Sequence, residues 1–419
     1  MKLSTIGQKM NRLTGVRSIM KDIKDTLQAN KDVQYINLSA GNPLIIPDVD
    51  KIWRKHTNSI LDTTFSDVIG RYGSSQGYEP LINAIVEFFN TTYNWGITNK
   101  NILVTSGSQS LYFIATNAFC GTDINSDNRH VLLPITPDYT GYGGVVVDSN
   151  MIVSNVPRIE KKEKHRFKYH VNFESLRINE SVGAIILSRP SNPSGNIISK
   201  DELNKIIDAA SSFKIPVLVD SAYASPFPNL VYTNMEHVWK ENVIHCLSFS
   251  KAGLPGERIG IAIGHESYIE VMEAFQSNLN LHSSRFGQAL VAETIISGDM
   301  DVLSKETIQP YYLEKKKILE DALDKEMPDI PWYLHDIEGG LFGWLWIENL
   351  PISDLELYDL LKKEGLLIVP GSSFFPSTDK SWVHSSECIR ISLTASNEEI
   401  LLAAKIISKT LVRIFNANE

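Results

Sequence analysis

The sequence predicts an α/β protein with a largely parallel sheet, followed by a smaller α+β part. Between about residues 100 and 265, short apolar runs alternate with amphipathic helical stretches, which is the rhythm of an open α/β sheet. Several of these runs are unbroken rather than alternating, as expected for strands buried on both faces. After about residue 300 this rhythm gives way to strands mixed with helices, which is typical of an α+β unit.

The elements of the first part follow from these runs. The predicted strands are Asn101–Ser106, Val131–Ile135, Val182–Leu187, Ile215–Asp220, Val243–Ser248 and Ile259–Ile263. Helices are predicted over Gln109–Phe119 and Lys200–Phe213. Ser199 can cap the second helix, whose first turn carries acids that suit the helix dipole.

The second part begins with a long helix predicted over Thr307–Leu323. The elements predicted after it are a hairpin of Trp332–His335 and Leu341–Ile347 around Glu338-Gly339-Gly340, a helix at Ser353–Glu364, strands at Leu366–Val369 and Cys388–Leu393, and a last helix at Asn397–Phe415.

Composition and charge exclude several classes of function. The 419 residues carry 40 Lys plus Arg against 49 Asp plus Glu, a formal net charge of −9. Such a chain is a poor general binder of nucleic acid or anionic membrane, and no apolar run reaches the roughly 20 residues of a membrane span. Three cysteines far apart in sequence suit a reducing compartment, so we expect a cytoplasmic protein. A transit peptide in the basic N-terminus is the alternative.

The most informative stretch runs from Ser248-Phe-Ser-Lys251 to Arg258. A lysine at the mouth of a sheet can lose its proton when it is desolvated, and it then becomes a Schiff-base nucleophile. The hydroxyls of Ser248 and Ser250, with the guanidinium of Arg258, could hold a phosphate. The alternative is a loop with a surface lysine and arginine.

Two further strands end in polar side chains. Asp220 closes the apolar run 215–220, where open α/β sheets place ligand groups, and Tyr223 can reach the same ligand. A buried carboxylate there would be costly without a cation, but an Asp in this position can also simply cap the next turn. Asn192 follows the run 182–187 between two prolines and, taken alone, indicates only a turn.

Two other signals concern anions. A strand passes through the Gly turn Ser106-Gly-Ser-Gln-Ser110 into a helix, whose free backbone N–H groups could bind phosphate. No Walker loop or dinucleotide fingerprint accompanies it. Arg390 lies within an apolar strand, where its guanidinium needs an anion. That anion could be a substrate carboxylate or the partner of an internal salt bridge. No histidine pair has metal-type spacing, so we predict no metal site.

The order and spacing of these signals resemble the fold-type I, pyridoxal-phosphate-dependent aminotransferases of class I/II. The motifs that carry the resemblance are Asn192-Pro-Ser-Gly195, Asp220-Ser-Ala-Tyr223, Ser248-Phe-Ser-Lys251, Gly256-Glu-Arg258-Ile-Gly260 and the late Arg390. The resemblance covers essentially the whole chain. The resemblance implies a large domain around a mostly parallel seven-stranded sheet and a smaller α+β domain made from both termini.

Further motifs resemble the group of this family that acts on valine and pyruvate. They are Gly41-Asn-Pro, Arg71-Tyr-Gly, Pro137-Asp-Tyr-Thr-Gly-Tyr142, Phe167-Lys-Tyr-His-Val, Phe342-Gly-Trp-Leu-Trp and Phe374-Phe-Pro. Lys251 and Arg258 are seven residues apart, where many members of the class have eight; the shorter spacing also occurs in this group. The resemblance implies amino transfer from a neutral amino acid (valine, alanine) to a 2-oxo acid (pyruvate, 2-oxoisovalerate).

The resemblance also implies a role for each matching residue. Lys251 would be the Schiff-base lysine and the proton shuttle, Asp220 would pair with the pyridine nitrogen, and Arg390 would bind the substrate α-carboxylate. Tyr223 and Asn192 would bind the phenolic oxygen of the cofactor, and Tyr139 would stack on its ring. The phosphate would be held by Ser108, Gln109, Ser248, Ser250 and Arg258, with Tyr72 from a second subunit. Asn192 and the backbone at Gly41 would assist substrate binding.

The implied organisation is a homodimer with active sites at the interface. Residues 1–47 would form an arm and part of the small domain, 48–311 the large cofactor-binding domain, and 312–419 the rest of the small domain. The rivals are an aminotransferase of other specificity or a lyase or decarboxylase on the same cofactor, a non-catalytic regulator that senses pyridoxal phosphate, and an α/β hydrolase or dehydrogenase. The last has no Gly-x-Ser-x-Gly elbow or clear dinucleotide motif to support it.

Overall fold

The structure, a computed structural model, describes residues 1–11, 16–29, 32–125, 127–379 and 381–417. Its helices within these ranges are α1 Thr5–Met10, α2 Val16–Ala29, α3 Pro47–Thr63, α4 Phe65–Gly70, α5 Glu79–Tyr93, α6 Ser108–Phe119, α7 Lys200–Ser211, α8 Glu266–Asn280, α9 Arg285–Ile296, α10 Asp299–Val302, α11 Gln309–Glu326, α12 Asp354–Lys363 and α13 Asn397–Asn416.

The strands are β1 Ile36–Asn37, β2 Ile102–Thr105, β3 Gly121–Thr122, β4 Asn128–Leu133, β5 Ile152–Ser154, β6 Arg158–Lys162, β7 Arg166–His170, β8 Val182–Ser188, β9 Val217–Asp220, β10 Val243–Ser248, β11 Gly260–Ile263, β12 Trp332–His335, β13 Phe342–Ile347, β14 Leu366–Leu367, β15 Val369–Pro370 and β16 Cys388–Ser392.

The large sheet has the order β2-β11-β10-β9-β8-β4, with β5 and the two-residue β3 also paired to β4. Strands β5, β4, β8, β9 and β10 run parallel, and β11 is antiparallel to both of its neighbours. Strands β2, β8, β9, β10 and β11 are buried throughout, because helices cover both faces of the sheet. The predicted mostly parallel α/β sheet is confirmed, with seven strands of three or more residues plus the short β3.

A second sheet has the order β15-β16-β13-β12-β7-β6. The predicted hairpin of β12 and β13 is confirmed as an antiparallel pair. The hairpin of β6 and β7 was not predicted; its strand β6, Arg-Ile-Glu-Lys-Lys, is mostly exposed and has no apolar run to reveal it. This hairpin lies within the range 48–311 but extends the sheet of the C-terminal residues, and the domain division remains a prediction.

The segment predicted as one strand over 366–369 is divided between two sheets. β14 pairs in parallel with β1, whereas β15 pairs with β16. The N-terminal segment is attached to the C-terminal part of the chain in two places. β1 pairs with β14, and the carboxylate of Asp22 accepts hydrogen bonds from Tyr358 and Lys362. Within the described ranges, no helix is both long and apolar enough to cross a membrane.

The long helix predicted over 307–323 is observed as α11, which begins two residues later, at Gln309, and ends at Glu326. A π-helical turn, Leu303–Ile308, leads directly into α11. The chain therefore runs in one continuous helical stretch from α10 to the end of α11, because the ends of these three segments keep helical dihedral angles.

Candidate active site

The candidate site lies where parallel strands of the large sheet end. Thr105, Ser188, Asp220 and Ser248 are the last residues of β2, β8, β9 and β10. Because these four strands point the same way, their carboxyl ends meet at one edge of the sheet, the usual place for ligand groups in α/β proteins.

Lys251 sits in a short 3₁₀ turn, Phe249–Ala252, directly after β10. The side chain of Ser248 caps this turn by accepting the N–H of Ser250, and Gly253 ends it with a φ of 97°. The amine Nζ of Lys251 donates to the carbonyl oxygen of Gly41 at 2.5 Å. Burial, helped by the positive charges of Arg390 and Arg258, lowers the pKa of Lys251 to about 8. About one tenth of this amine is therefore neutral at pH 7, far more than for a lysine in water, and its burial argues against an ordinary surface lysine.

Asp220 is buried at the end of β9, with 5% of its surface exposed. One carboxylate oxygen accepts the hydroxyl of Tyr142 at 2.9 Å, and the other accepts the N–H of Ala222 at 3.0 Å. Burial raises the pKa of Asp220 above its ordinary value. The turn-capping interpretation thus accounts for one oxygen only. Tyr223, three residues further on, is also buried, and the centroid of its ring lies 5.8 Å from Lys251 Nζ.

Arg390, in β16, reaches the large sheet from the C-terminal part of the chain. Its Nη1 donates to Asn192 Oδ1 at 3.0 Å and its Nη2 donates to the Ser39 carbonyl at 2.9 Å. The guanidinium lies 4.0 Å from the ring centroid of Phe342 and 5.1 Å from that of Phe374.

The buried Nε of Arg390 has no hydrogen-bond partner, and burial lowers the pKa of the side chain to about 10. In the described ranges, no carboxylate lies within 4.0 Å of the Arg390 guanidinium. Of the two alternatives for Arg390, the internal salt bridge is therefore wrong within these ranges. A buried cation whose remaining donor is unused is suited to bind an anion that enters the site.

A second group of donors surrounds the start of α6. Gly107, with a φ of 87°, turns the chain from β2 into the helix, so the N–H groups of Ser108 and Gln109 lie in the first turn without an intrahelical acceptor. The guanidinium of Arg258 packs against Gly107, where an added Cβ would lie 2.3 Å from Nη2. Arg258 also donates to Ser250 Oγ at 3.3 Å. A helix N-terminus, hydroxyls and an arginine together form a cradle that fits a phosphate.

Tyr139 lies between this cradle and Asp220. Its hydroxyl donates to Gln109 Oε1 at 3.3 Å, and its ring meets that of Tyr142 edge-on at 5.3 Å. Gly141 is required here, because a Cβ at that position would lie 2.2 Å from a ring carbon of Tyr139.

Tyr72 is the one sequence-predicted site residue that stands apart. It is 87% exposed, and its recorded contact is an edge-on ring contact with His282 at 6.0 Å. The other predicted residues, Gly41 included, converge on the edge of the sheet described above. The sequence-based prediction gave no role to three contributors. Tyr142 and the aromatic pair around Arg390, Phe342 and Phe374, lie in motifs that it quoted; the Ser39 carbonyl it missed.

The polar groups of the site fit pyridoxal phosphate. The cradle at Gly107 and Arg258 suits its phosphate, the buried carboxylate of Asp220 suits a protonated ring nitrogen, and the amine of Lys251 suits its aldehyde. Asp220 has no cation within 4.0 Å among the described residues, so a cationic ring nitrogen would supply the partner that a buried carboxylate needs. In the same ranges, no group of three or more His, Cys, Asp or Glu residues could hold a metal ion.

Comparison with known proteins agrees with this chemistry. The family model of aminotransferase class I and II matches residues 33–407. The valine–pyruvate aminotransferase of Escherichia coli K12 is 34% identical over 414 residues, which cover 99% of each chain. Its counterpart from Salmonella typhimurium LT2, a crystal structure, superposes with a TM-score of 0.87 at 34% identity over 95% of this chain and 99% of that one.

A protein assigned as an amino-acid aminotransferase from Psychrobacter arcticum 273-4 superposes with a TM-score of 0.94, at 34% identity and 99% coverage of both chains. The motifs, the fold and these matches agree over nearly the full length. The chain therefore belongs to the pyridoxal-phosphate-dependent aminotransferases of class I and II, enzymes that exchange an amino group between amino acids and 2-oxo acids.

Proposed function

We propose that this protein transfers an amino group between a neutral amino acid, such as valine or alanine, and a 2-oxo acid, such as pyruvate or 2-oxoisovalerate, in a ping-pong cycle. The observation that carries the proposal is the pairing, in one buried site, of an amine with a lowered pKa at Lys251 and a guanidinium with no acidic partner at Arg390. The similarity to the Escherichia coli valine–pyruvate enzyme supports the choice of substrates.

Asp220 would keep a proton on the pyridine nitrogen, since its buried charge favours a cation beside it. When bound, pyridoxal phosphate supplies an electron sink that acidifies the α-carbon of the substrate. Tyr223 and Asn192 would bind the phenolic oxygen, and Tyr139 would stack on the ring. The phosphate would be held by the remaining predicted residues, Ser108, Gln109, Ser248, Ser250, Arg258 and the Tyr72 of a second subunit.

Lys251 would act as general base and acid at the substrate. With a pKa of about 8, its Nζ can take the proton from the α-carbon of the amino acid and can return a proton to that carbon in the reverse half-reaction. The bond to the Gly41 carbonyl holds the free amine at the substrate side of the site.

Arg390 would bind the α-carboxylate of either substrate. Asn192 holds one end of its guanidinium and the Ser39 carbonyl holds the other, so the donor fork is fixed before the substrate arrives. A largely apolar side-chain pocket would select neutral amino acids, and it would discriminate by only about 1–3 kcal/mol per methylene. We therefore expect overlapping activity on valine and alanine.

We also propose that the protein works as a homodimer, with Tyr72 completing the partner's site. Two exposed apolar side chains beside Tyr72 support this: Ile69, three residues before it, is 57% exposed, and Leu281, next to its ring partner His282, is 58% exposed. Residues 1–47 and 312–419 would form the small domain and 48–311 the large one. Three free cysteines support a cytoplasmic location. Sedimentation analysis of the purified protein should give the mass of a dimer.

The test is a half-reaction followed by the visible absorption band of the bound cofactor. Valine or alanine should bleach the band, and pyruvate or 2-oxoisovalerate should restore it with one equivalent of new amino acid. A lyase would instead release its products without converting the added 2-oxo acid into the corresponding amino acid. Lys251→Ala protein should not bleach, and bleaching at the wild-type rate would disprove the assignment of Lys251.

A further inference from the structure

Residues 39–44 form a loop whose backbone carbonyls bond both Arg390 and Lys251. The Ser39 carbonyl accepts from Arg390 Nη2 at 2.9 Å, and two residues later the Gly41 carbonyl accepts from Lys251 Nζ at 2.5 Å. A shift of this loop would therefore move one acceptor of the guanidinium and the acceptor of the amine together.

At its far end the loop packs against the hydrophobic core through Leu44, and a side-chain hydrogen bond holds its backbone there. The hydroxyl of Tyr312 accepts the backbone N–H of Leu44 at 2.8 Å, 268 residues away in sequence. Tyr312 lies in the first turn of α11 and is 1% exposed, and burial raises its pKa to about 12, so it remains a neutral phenol at physiological pH.

The space around this bond is tight. A cavity of about 10 Å³, near the size of one water, lies among Leu44, Lys251 and Tyr312. The turn that carries Lys251 is bonded from α3, where the indole N–H of Trp53 donates to the Ala252 carbonyl at 3.0 Å. The turn is thus held from α3, whereas the loop 39–44 is tied to α11 by the phenol of Tyr312.

We propose that Tyr312 is a positioning residue for the amino-transfer reaction: it acts through the loop 39–44 to align the carbonyls of Ser39 and Gly41 with Arg390 and Lys251. Among the described residues, its hydroxyl bonds the backbone of Leu44 and no residue of the cradle at Gly107 and Arg258. The inference rests on the proposed function, because it takes Arg390 as the carboxylate site. It adds that the affinity of this site for a carboxylate is set partly from α11.

The experiment compares Tyr312→Phe with Tyr358→Phe in the cofactor-loaded enzyme. Tyr358 is a matched control, since it is 3% exposed and its hydroxyl bonds Asp22 at 2.6 Å, away from the site residues. The first readout is deuterium exchange of the amides of 39–46, followed by mass spectrometry. The second is the calorimetric dissociation constant of 3-methylbutanoate, the carboxylate that valine becomes without its amine.

Tyr312→Phe should speed exchange in 39–46 and weaken binding of 3-methylbutanoate about fivefold to tenfold, the worth of one hydrogen bond. Tyr358→Phe should change neither, although both variants lower the thermal midpoint. KM for valine should rise in the first variant in step with the dissociation constant. The inference fails if exchange quickens without weaker binding, if both variants weaken binding equally, or if the wild type does not bind 3-methylbutanoate. If the wild type binds it but does not transaminate valine or alanine, the proposed function fails and these two readouts still decide the role of Tyr312.

Discussion

Tyr142 donates a hydrogen bond to Asp220 at 2.9 Å, and this bond joins the short 3₁₀ helix Thr140–Gly144 to a strand end that lies 78 residues further along the chain. Both residues are buried, and burial raises the pKa of each. The bond stabilises the charged form of the carboxylate and so opposes the effect of burial on Asp220.

Tyr142→Phe should make the enzyme more sensitive to acid. Loss of the donated bond raises the pKa of Asp220 further, so the carboxylate takes up a proton at a higher pH and can no longer hold a cation beside it. The acid limb of the kcat/KM profile for alanine should move to higher pH, with a loss of about tenfold at its optimum. Tyr358→Phe serves as the control, and an unmoved acid limb in Tyr142→Phe would contradict the role given to Asp220.

Arg390→Lys should lower kcat/KM for valine about 100-fold, because an ammonium cannot bond Asn192, Ser39 and a carboxylate with one planar fork. Most of the loss should appear in KM, as measured by steady-state kinetics. Arg413→Lys, which alters an exposed pair with Glu364, should leave both constants unchanged. Normal substrate affinity in Arg390→Lys would show that the guanidinium does not bind substrate.

Gly107→Ala should weaken cofactor binding about tenfold or more. The φ of 87° strains an alanine by roughly 1–2 kcal/mol, and its Cβ would displace the guanidinium of Arg258 from the start of α6. Equilibrium dialysis against pyridoxal phosphate measures the effect. Gly256→Ala is the matched control in the same region, because a Cβ there meets nothing within 4 Å. Equal affinity in the two variants would place the phosphate elsewhere.

Lys168 and Glu338 should show strong coupling in a double-mutant cycle. Lys168 is buried and bonds Glu338, Asn196 and the Ile197 carbonyl, so it ties β7 and the turn before β13 to the chain that follows Asn192. Lys168→Met or Glu338→Gln alone should cost about 3 kcal/mol of unfolding free energy, because each leaves the charge of the other residue buried and unpaired.

The double variant should cost clearly less than the sum of the two single variants, by at least about 1 kcal/mol in urea unfolding. Lys240→Met breaks an exposed pair with Asp208 and should cost less than about 1 kcal/mol. Additive losses at Lys168 and Glu338 would mean that the two side chains stabilise the fold independently.

The sequence alone determined the sheet and the chemistry of its edge. Unbroken apolar runs fix strands such as β8 and β10 nearly to the residue, because a strand buried on both faces must be apolar throughout. The polar residues that follow those runs then fall at the carboxyl edge, and their motifs name the family. The role of each of them remains a prediction for the experiments above.

Only the tertiary structure decided which distant groups meet these residues. Strand β6 is polar and mostly exposed, so no apolar pattern marks it. It forms a hairpin because β7, whose Phe167 and Tyr169 are buried, extends the sheet of β12 and β13. Taken alone, the sequence around Arg390 favoured an internal salt bridge, and only the family resemblance pointed to a substrate carboxylate; both need a buried guanidinium. The fold separates them by surrounding it with Asn192, a backbone carbonyl and two aromatic rings. Contacts such as Tyr312 with Leu44 join segments hundreds of residues apart, and backbone groups leave no trace in a sequence pattern.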